Sequence, residues 1–331
     1  MDLQEWNQGR LLDVSGRYWM SCTLHAGVKL DVFTIIGEEQ CPVANIAERL
    51  DADQRGVEML LNALAAMGLL EKAGDRFSNT PASRTLLSKD SAEYIGHIIT
   101  HHHHLVDSWS KLDQAVKSGK AVRARASYSE EEWRESFLMG MFNLAMKIAP
   151  RVAETIDLSG KRHLLDLGGG PGTYAIHFCL NNPQLKATVY DLPTTQPFAD
   201  KTISRFGLTD KIEFMPGDYL EQDIPGVYDV AWLSHILHAQ GPKTCRRIIE
   251  KTVSALASGG KLIVHDFILN NTMNGPVFPA LFSLNMLLGT RAGQSYAEEQ
   301  IIDMLSSAGV KAIERIPFQG LNDSGIIMGV A

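Results

Sequence analysis

The stretch DLGGGPG at residues 166–172 decides the fold of this chain. It ends an apolar strand candidate, His163 to Leu167, and precedes an apolar helical pattern from Tyr174 to Asn181. Glycines at a strand-to-helix turn let the backbone approach a ligand closely, and the N-terminus of the helix favours an anionic or electron-rich group. The stretch therefore predicts a ligand-binding turn in an α/β domain.

The spacing of the glycines separates two kinds of cofactor domain. The dinucleotide pattern G-x-G-x-x-G needs a third glycine at position 173, where Thr173 stands. The chain instead has Gly168, Gly170 and Gly172, with Asp166 two residues before the first of them. This arrangement resembles the methyltransferase pattern, not the pattern of dinucleotide-binding domains.

Two further acids follow the next strand candidates. Asp191 ends a strand candidate and lies 19 residues after Gly172, where a carboxylate can accept both hydroxyls of a ribose. Asp218 and Tyr219 follow the third strand candidate, where an acid and an aromatic ring can hold an adenine. An acidic wall suits a cationic sulfonium cofactor better than a pyrophosphate. The alternative is that each acid is a solvated strand end or a helix cap.

Strands and helices alternate in the second half of the chain, which predicts a mainly parallel seven-stranded sheet covered on both faces. The strand candidates are His163–Leu167, Ala187–Asp191, Ile212–Met215, Tyr228–Ser234, Lys261–Phe267, Val310–Ile316 and Gly325–Val330. The helix candidates between them are Tyr174–Asn181, Phe198–Phe206, Thr244–Ala257 and Glu298–Ala308. Residues 151–331 are therefore predicted to form a Rossmann-like domain.

The first hundred residues have the order helix, helix, helix, wing, which is typical of a winged helix. The helix candidates are Leu24–Ile36, Val43–Leu50 and Val57–Gly68. The wing is predicted as Leu69–Glu71 and Arg76–Asn79 around the turn Ala73-Gly74-Asp75. We expect residues 1–100 to form this domain, and residues 101–150, with a polar loop at Lys117–Ser129, to form a helical linker and pocket segment.

Charge and cysteine usage restrict the partners. The net charge is −7, and the helix Val57–Gly68 lacks the basic residues of a DNA-recognition helix, so nucleic acid is not an expected partner. Four cysteines without CxxC spacing are typical of reduced thiols. Because residues 1–10 do not have the pattern of a signal peptide and no apolar run reaches about 18 residues, we expect a cytoplasmic protein without a membrane partner.

These motifs resemble those of class I S-adenosylmethionine-dependent methyltransferases, and more narrowly the O-methyltransferases that include plant caffeate, hydroxyindole and bacterial natural-product enzymes. Thr80–Leu87 is similar to the family's T-P-x-S-R-x-L-L segment, and Leu233–Gln240 is similar to L-x-x-x-L-H-D-W. The resemblance covers nearly the whole chain. It implies a winged-helix dimerisation domain, a homodimer, S-adenosylmethionine as cofactor and S-adenosylhomocysteine as product.

The resemblance also implies roles for single residues. His238 corresponds to the general base that takes the proton of a substrate hydroxyl, and Asp266 to the acid that orients it. Ser234 stands where some members place a lysine near the cofactor, and Met141 where members contact an aromatic substrate. His235 is expected on the strand in a structural role, and His265 is expected to pack on the opposite face from Asp266.

An apolar set of residues suits a flat, variable ligand, although core packing explains each member equally well. The set comprises Met141, Phe142, Met146, Phe278, Phe282, Met286 and Leu287. Within it, Met141, Phe142, Phe282 and Met286 are the predicted substrate contacts for a hydroxylated aromatic molecule.

Departures from the family pattern leave alternatives open. Ala239 and Gln240 replace the Asp-Trp of the motif, and Ser295 stands near the place of a second acid. A carbon or nitrogen methyltransferase on the same scaffold, or an inactive winged-helix sensor of the cofactor, remains possible at this point.

A histidine run forms a separate motif. His97, His101 and His104 recur at helical spacing, with His102 and His103 beside them. Such a run can chelate a metal or a heme, can grip a substrate carboxylate or second hydroxyl, or can simply line a polar helix. Because cysteines are absent nearby, we predict no metal.

Overall fold

The structure is a computed structural model and describes residues 5–124 and 131–331. The chain forms two compact units, one ending at Val106 and the other beginning at Asp107. The first unit holds α1 (Gln8–Gly16), α2 (Tyr18–Lys29), α3 (Val32–Ile36), α4 (Val43–Arg49), α5 (Gln54–Ala66), α6 (Pro81–Leu87) and the start of α7 (Gly96–Trp109).

Three short antiparallel strands complete the first unit. They are β1 (Cys41–Pro42), β2 (Leu70–Ala73) and β3 (Arg76–Asn79), in the order β1-β3-β2. Gly74, at the turn between β2 and β3, has a φ of +64°, a conformation that glycine adopts without steric cost. The hairpin predicted around Ala73-Gly74-Asp75 is therefore confirmed.

The single helix predicted over Leu24–Ile36 is wrong, because the chain breaks it between α2 and α3. Asp31 has a left-handed φ of +59°, and its carboxylate accepts a hydrogen bond from Thr34 Oγ1 at 2.7 Å. Aspartate tolerates this conformation because its side chain bonds locally. The apolar stripe continues across the break since Val28 and Phe33, one on each helix, are both buried.

The second unit is an α/β domain. Its helices are α8 (Leu112–Ser118), α9 (Glu131–Met146), α10 (Ala149–Thr155), α11 (Thr173–Asn181), α12 (Gln196–Arg205), α13 (Pro242–Ser254), α14 (Val277–Gly289) and α15 (Glu298–Ser307). Its strands are β4 (His163–Leu167), β5 (Lys186–Asp191), β6 (Ile212–Pro216), β7 (Tyr228–Ser234), β8 (Leu256–Phe267), β9 (Lys311–Ile316) and β10 (Ser324–Val330).

Within the described residues these strands form one seven-stranded sheet in the order β6-β5-β4-β7-β8-β10-β9. All pairings are parallel except those of β10, which runs antiparallel to β8 and to β9. The predicted mainly parallel sheet is confirmed. Strand β8 begins at Leu256, inside the helix predicted over Thr244–Ala257, so that helix ends earlier than expected.

Two apolar clusters cover the faces of the sheet. Leu164 belongs to one cluster and Leu165 to the other, because successive side chains of a strand point to opposite faces. Strand β4 is buried from Leu164 to Leu167, so the carboxyl end that carries the glycine turn rests on a fully packed strand. The predicted loop at Lys117–Ser129 overlaps α8, and its residues from 125 onward lie outside the described chain.

None of the helices traced through the described residues has the length and apolar character needed to cross a bilayer.

Candidate active site

The glycine turn after β4 has a backbone that only glycine adopts easily. Gly168, Gly170 and Gly172 have φ values of +66°, +55° and +77°. A β-carbon at Gly168 would lie 2.6 Å from Cγ2 of Ile236, which is too close for any real contact. The glycine turn therefore leaves its backbone uncovered by side chains, so that a ligand can approach it closely.

Asp166 lies beneath this turn with no exposed surface. Its Oδ2 accepts a hydrogen bond from the Ala175 N–H at 3.2 Å, whereas its Oδ1 has no hydrogen-bond partner among the described residues. Burial raises the pKa of Asp166 to about 7; the Ala175 N–H offsets part of that rise, and the charge of Asp191 adds to it. A buried carboxylate oxygen without a donor favours a positively charged or hydrogen-bonding ligand group.

Asp191 and Tyr219 border the same turn. Asp191 accepts hydrogen bonds from the N–H groups of Gly170 at 2.8 Å and Leu192 at 2.7 Å. The ring of Tyr219 comes within 3.4 Å of the β-carbon position at Gly168. The strand ends thus bring Asp166, Asp191 and Tyr219 around one backbone cradle.

Asp218 has a more local set of contacts. Its Oδ1 accepts a hydrogen bond from the Leu220 N–H at 2.8 Å, and its own N–H donates to Gln222 Oε1 at 3.0 Å. Gly217, the residue before it, donates to the carbonyl of Asp191 at 2.9 Å. Asp218 therefore lies beside the cradle, while its described hydrogen bonds stay within its own loop.

This set of groups fits S-adenosylmethionine. The cofactor carries a ribose and two positive charges, and the cradle offers carboxylates, open glycine backbone and an aromatic ring. The buried Oδ1 of Asp166, which lacks a partner within the described chain, is the observation that favours a cationic ligand. A pyrophosphate would meet two carboxylates here and be repelled.

A second cluster lies after β7, where the chain leaves the sheet in the short 3-10 turn Leu237–Ala239. His238 is buried in this turn, and its Nδ1 lies 2.6 Å from Oδ1 of Asp266 at the end of β8. The backbone N–H groups of His238 and Phe267 also donate to this carboxylate, at 3.3 and 2.8 Å. Three donors thus fix the orientation of one buried acid.

The charge of Asp266 follows from its contacts. Burial by itself would raise the pKa of Asp266, but the imidazole of His238, its hydrogen bond and the nearby ring of His235 outweigh burial and hold the pKa well below the usual value. An ionised Asp266 accepts a hydrogen bond from Nδ1–H of His238. In the tautomer with a proton on Nδ1 only, the other ring nitrogen, Nε2, is an acceptor.

His235 departs from the expectation that it lies on the strand. It follows β7 with a left-handed φ of +56°, and its Nδ1 lies 3.5 Å from Oδ1 of Asp266. A second imidazole therefore faces the carboxylate that orients His238. The spacing of His235 and His238 was the available signal, because residues three apart face the same way once a strand gives way to a helical turn.

His235, His238 and Asp266 also place three potential ligand atoms within 4.8 Å of one another, the one such group found in the described chain. The 2.6 Å separation of His238 and Asp266 is the length of a charge-assisted hydrogen bond. We therefore interpret the trio as an imidazole–carboxylate site.

Ser234, which is half-buried, and the buried His265 form a hydrogen-bond network on the other face. The ring nitrogens of His265 each lie 3.0 Å from a hydroxyl, Ser234 Oγ on one side and Ser324 Oγ on the other. Burial holds the pKa of His265 well below its usual value, so the ring is neutral. His265 packs in the core against Trp232, as strand alternation predicts, and the cofactor contact of Ser234 stays a prediction.

Aromatic rings surround His238. The ring of Phe282, on α14, lies 4.8 Å from that of His238 at a steep angle, and Phe267 lies 5.9 Å away and nearly parallel. Phe278 contacts Phe267 at 4.9 Å. Phe267 was missed by the sequence analysis, although it directly follows Asp266.

The other predicted substrate contacts lie on two helices. Met286 is buried one turn beyond Phe282 on α14. Met141 is half-buried and Phe142 is buried on α9. Leu138 on α9 lies 4.0 Å from the β-carbon position at Gly170, so α9 passes over the glycine turn.

The histidine run forms part of the first unit and makes contacts with α2. His103 lies 3.1 Å from Lys29 Nζ and 5.7 Å, ring to ring, from His25. Burial, with a contribution from His103, lowers the pKa of His25 to about 4. Within the described residues the run does not bring three donor atoms within 4.8 Å, so it does not offer a chelating set.

The cradle and the adjacent imidazole–carboxylate pair define the class of the protein as a methyltransferase that uses S-adenosylmethionine. Residues 109–311 match the family model of the O-methyltransferase domain, and residues 12–89 match that of the O-methyltransferase dimerisation domain. The chain therefore belongs to the O-methyltransferase family, which confirms the predicted family, enzyme class and cofactor.

Named relatives agree with this assignment. The chain is 30% identical to the 3-hydroxy-5-methyl-1-naphthoate 3-O-methyltransferase of Streptomyces sahachiroi over 97% of its length and 94% of the relative's. It is 28% identical to the N,N-dimethyltransferase OxyT of Streptomyces rimosus, over 92% of each chain. The crystal structure of human N-acetylserotonin methyltransferase in complex with S-adenosylmethionine superposes with a TM-score of 0.87, 26% identity and coverage of 100% and 99%.

Proposed function

We propose that this enzyme methylates a hydroxyl group of an aromatic or polycyclic small molecule, with His238 as the general base. The observation that carries the proposal is the 2.6 Å hydrogen bond between His238 and Asp266, set against the ring of Phe282. The relative from Streptomyces sahachiroi, which acts on a naphthoate by its name, supports an aromatic acceptor.

The cofactor is held, in this proposal, by the carboxylates and glycines of the strand ends. S-adenosylmethionine supplies an electrophilic methyl group on a sulfonium. Asp191 accepts the ribose hydroxyls, Tyr219 packs against the base, and Asp166 faces positive charge. The full set is Asp166, Gly168, Gly170, Gly172, Asp191, Asp218, Tyr219 and Ser234.

His238 removes the proton that the hydroxyl must lose. A phenol has a pKa of about 10, so at neutral pH it is protonated and a poor nucleophile. Nε2 of His238 takes this proton as the O–CH₃ bond forms and the S–CH₃ bond breaks, which leaves S-adenosylhomocysteine, and Asp266 stabilises the resulting imidazolium. General-base help of this kind is typically worth roughly 10²–10⁴ in rate, and alignment of the acceptor contributes further.

The pocket is proposed to hold a flat ring system. Phe267, Phe278 and Phe282 provide aromatic surface beside His238, and rings stack or meet edge-on at such distances. Met141, Phe142 and Met286 add polarisable or apolar surface that adapts to different ligands. The division of the chain near residues 100 and 150, with the middle segment contributing to the pocket, is part of this proposal.

A nitrogen or carbon acceptor is the second candidate. It is favoured by the N,N-dimethyltransferase relative and by Ala239 and Gln240, which replace the Asp-Trp of the family motif. The test supplies cofactor with an isotopically labelled methyl group and a panel of hydroxylated and amino-substituted polycyclic aromatics. We expect labelled methyl ethers; label found only on nitrogen or carbon would overturn the oxygen assignment.

The first unit is proposed to form a homodimer. Its α1 has no buried residue, and seven large apolar side chains at the start of the chain are exposed: Trp6, Leu11, Leu12, Val14, Tyr18, Trp19 and Met20. Apolar surface of this extent marks an interaction site, and the match to the dimerisation domain supports a second copy of the chain as partner. A cytoplasmic location and the lack of nucleic-acid and membrane partners stay predictions.

A further inference from the structure

The face of α14 that approaches His238 continues towards the C-terminal end of the helix. Phe278, Phe282, Asn285 and Gly289 recur at helical spacing, so they lie along one side of α14. From Phe282 to Gly289 the helix rises about 10 Å. A group beside Asn285 or Gly289 therefore lies one to two turns of α14 beyond Phe282, the ring that meets His238.

Arg123 lies there. Its Nη2 donates to Asn285 Oδ1 at 2.9 Å, and a β-carbon at Gly289 would be only 2.5 Å from the guanidinium carbon. The backbone N–H groups of Val122 and Arg123 both donate to the carbonyl of Leu288, at 2.9 and 3.1 Å. The side chain is thus placed by its own backbone and by the lack of a side chain at Gly289.

The Arg123 guanidinium is half-buried. The ion pairs found among residues 5–124 and 131–331 do not include Arg123, and its Nε is buried with no hydrogen-bond partner in that same part of the chain. Burial lowers the pKa of Arg123, which reflects the cost of holding the charge away from water. A carboxylate offsets the cost of the buried guanidinium charge, because it carries the opposite charge and accepts two parallel hydrogen bonds from the guanidinium.

The surroundings add positive charge. A cavity of about 460 Å³ adjoins this helix end and is lined by residues 119–121 and 289–291, which include Lys120 and Arg291. Lys120 and Arg291 therefore add positive charge around a carboxylate that binds at this end of α14.

We propose that Arg123 binds a carboxylate of the substrate, so that the preferred acceptor is a hydroxylated aromatic carboxylic acid. The inference rests on the proposed function, since it places the reacting hydroxyl at His238. Arg123 acts as a specificity-determining residue and takes no part in the proton transfer.

The experiment compares matched acceptors: hydroxynaphthoic acids, their carboxamides and the corresponding naphthols, each with labelled cofactor. The wild-type enzyme is expected to show at least a tenfold higher kcat/KM for the acid than for the amide. Arg123→Gln removes the charge but keeps a donor for Asn285, and it should raise KM for the acid about tenfold while leaving KM for the amide unchanged. Arg123→Lys should restore part of the difference.

The control is Arg246→Gln on the exposed face of α13, which should leave both substrates unaffected. Equal losses on acid and amide in Arg123→Gln would show a purely structural role and overturn the inference. If that variant does not fold, equal kcat/KM of the wild-type enzyme for acid and amide overturns it. Failure to form any methyl ether would instead contradict the proposed function, so the two failures are distinguishable.

Discussion

The cofactor cradle and the proposed acceptor pocket of the second unit are built in different ways. The cradle consists of consecutive residues at the ends of adjacent parallel strands, such as Gly168 to Gly172 after β4 and Asp191 after β5. The pocket joins segments distant in sequence: the turn with His238, the end of β8 and helix α14. The cradle therefore depends on local backbone conformation, whereas the pocket depends on packing and on one buried acid, Asp266.

The largest expected effect lies in the acceptor pocket. Asp266→Asn keeps the size of the side chain but removes the charge, so His238 loses the partner that fixes its Nδ1–H tautomer and stabilises its protonated form. We expect the single-turnover rate of methyl transfer to fall roughly 10²–10⁴-fold with cofactor affinity within a factor of about two. Asp303→Asn on the exposed side of α15 is the control. A full loss of cofactor binding would show that the two regions are not separable.

The next effect tests the cradle. Gly168→Ala places a β-carbon 2.6 Å from Ile236 at a φ of +66°, so the turn must shift. We expect the affinity for S-adenosylmethionine, measured by calorimetry, to fall at least tenfold. Gly160→Ala is a matched control, because Gly160 has a φ of +77° with open space around its β-carbon position. Equal effects of the two variants on affinity would contradict a role for the close approach at Gly168.

A pH-dependent effect is expected from Asp166. Its pKa is raised to about 7 in the folded protein, against about 3.9 for an exposed aspartate. Between these values the folded state binds more protons than the unfolded state, so the stabilisation is complete at low pH and is lost as pH rises through 7. Between pH 5 and pH 8 the cofactor-free enzyme should lose about 2–3 kcal/mol more unfolding free energy than Asp166→Asn.

Urea unfolding of both proteins at the two pH values measures this difference. A cationic cofactor favours the ionised form, so its affinity should rise with pH in the wild-type enzyme and not in Asp166→Asn. Identical pH dependence of stability in the two proteins would show that Asp166 is not the buried titrating group.

Substitutions in the first unit are expected to affect the active site least. A double change of Leu12→Glu and Trp19→Glu places charges on the exposed apolar face of α1 and α2. Light scattering should then report half the mass of the wild-type assembly, with cofactor affinity unchanged. Val227→Glu, another exposed apolar site, is the control for adding a charge. An unchanged mass in the double variant would remove α1 and α2 from the interface.

The sequence predicted the cradle better than the pocket. The glycine spacing and the strand-end acids specify backbone geometry locally, so the places of Asp166 on β4 and Asp191 at the end of β5 followed from pattern alone. The left-handed conformation of His235 did not, because it belongs to the turn after β7, and no pattern in the sequence specifies the backbone of that turn. No pattern in the sequence indicated a role for Arg123, because its position depends on Gly289 and Asn285, which are far away in the sequence.

The single helix predicted over Leu24–Ile36 failed for a similar reason. Apolar spacing reports which residues face the core, and Val28 and Phe33 both do. It does not report a left-handed residue between them, which Asp31 supplies through its bond to Thr34.

The rate of methyl transfer to hydroxyaromatics of different acidity is the measurement that tests the role of His238 most directly. His238→Ala should transfer methyl to an unactivated naphthol roughly 10²–10⁴-fold more slowly than the wild-type enzyme, yet come within about tenfold on a nitro-substituted analogue already ionised at the assay pH. His163→Ala, at the exposed start of β4, should match the wild-type enzyme on both acceptors. Equal losses on the ionised and the protonated acceptor would contradict general-base catalysis by His238.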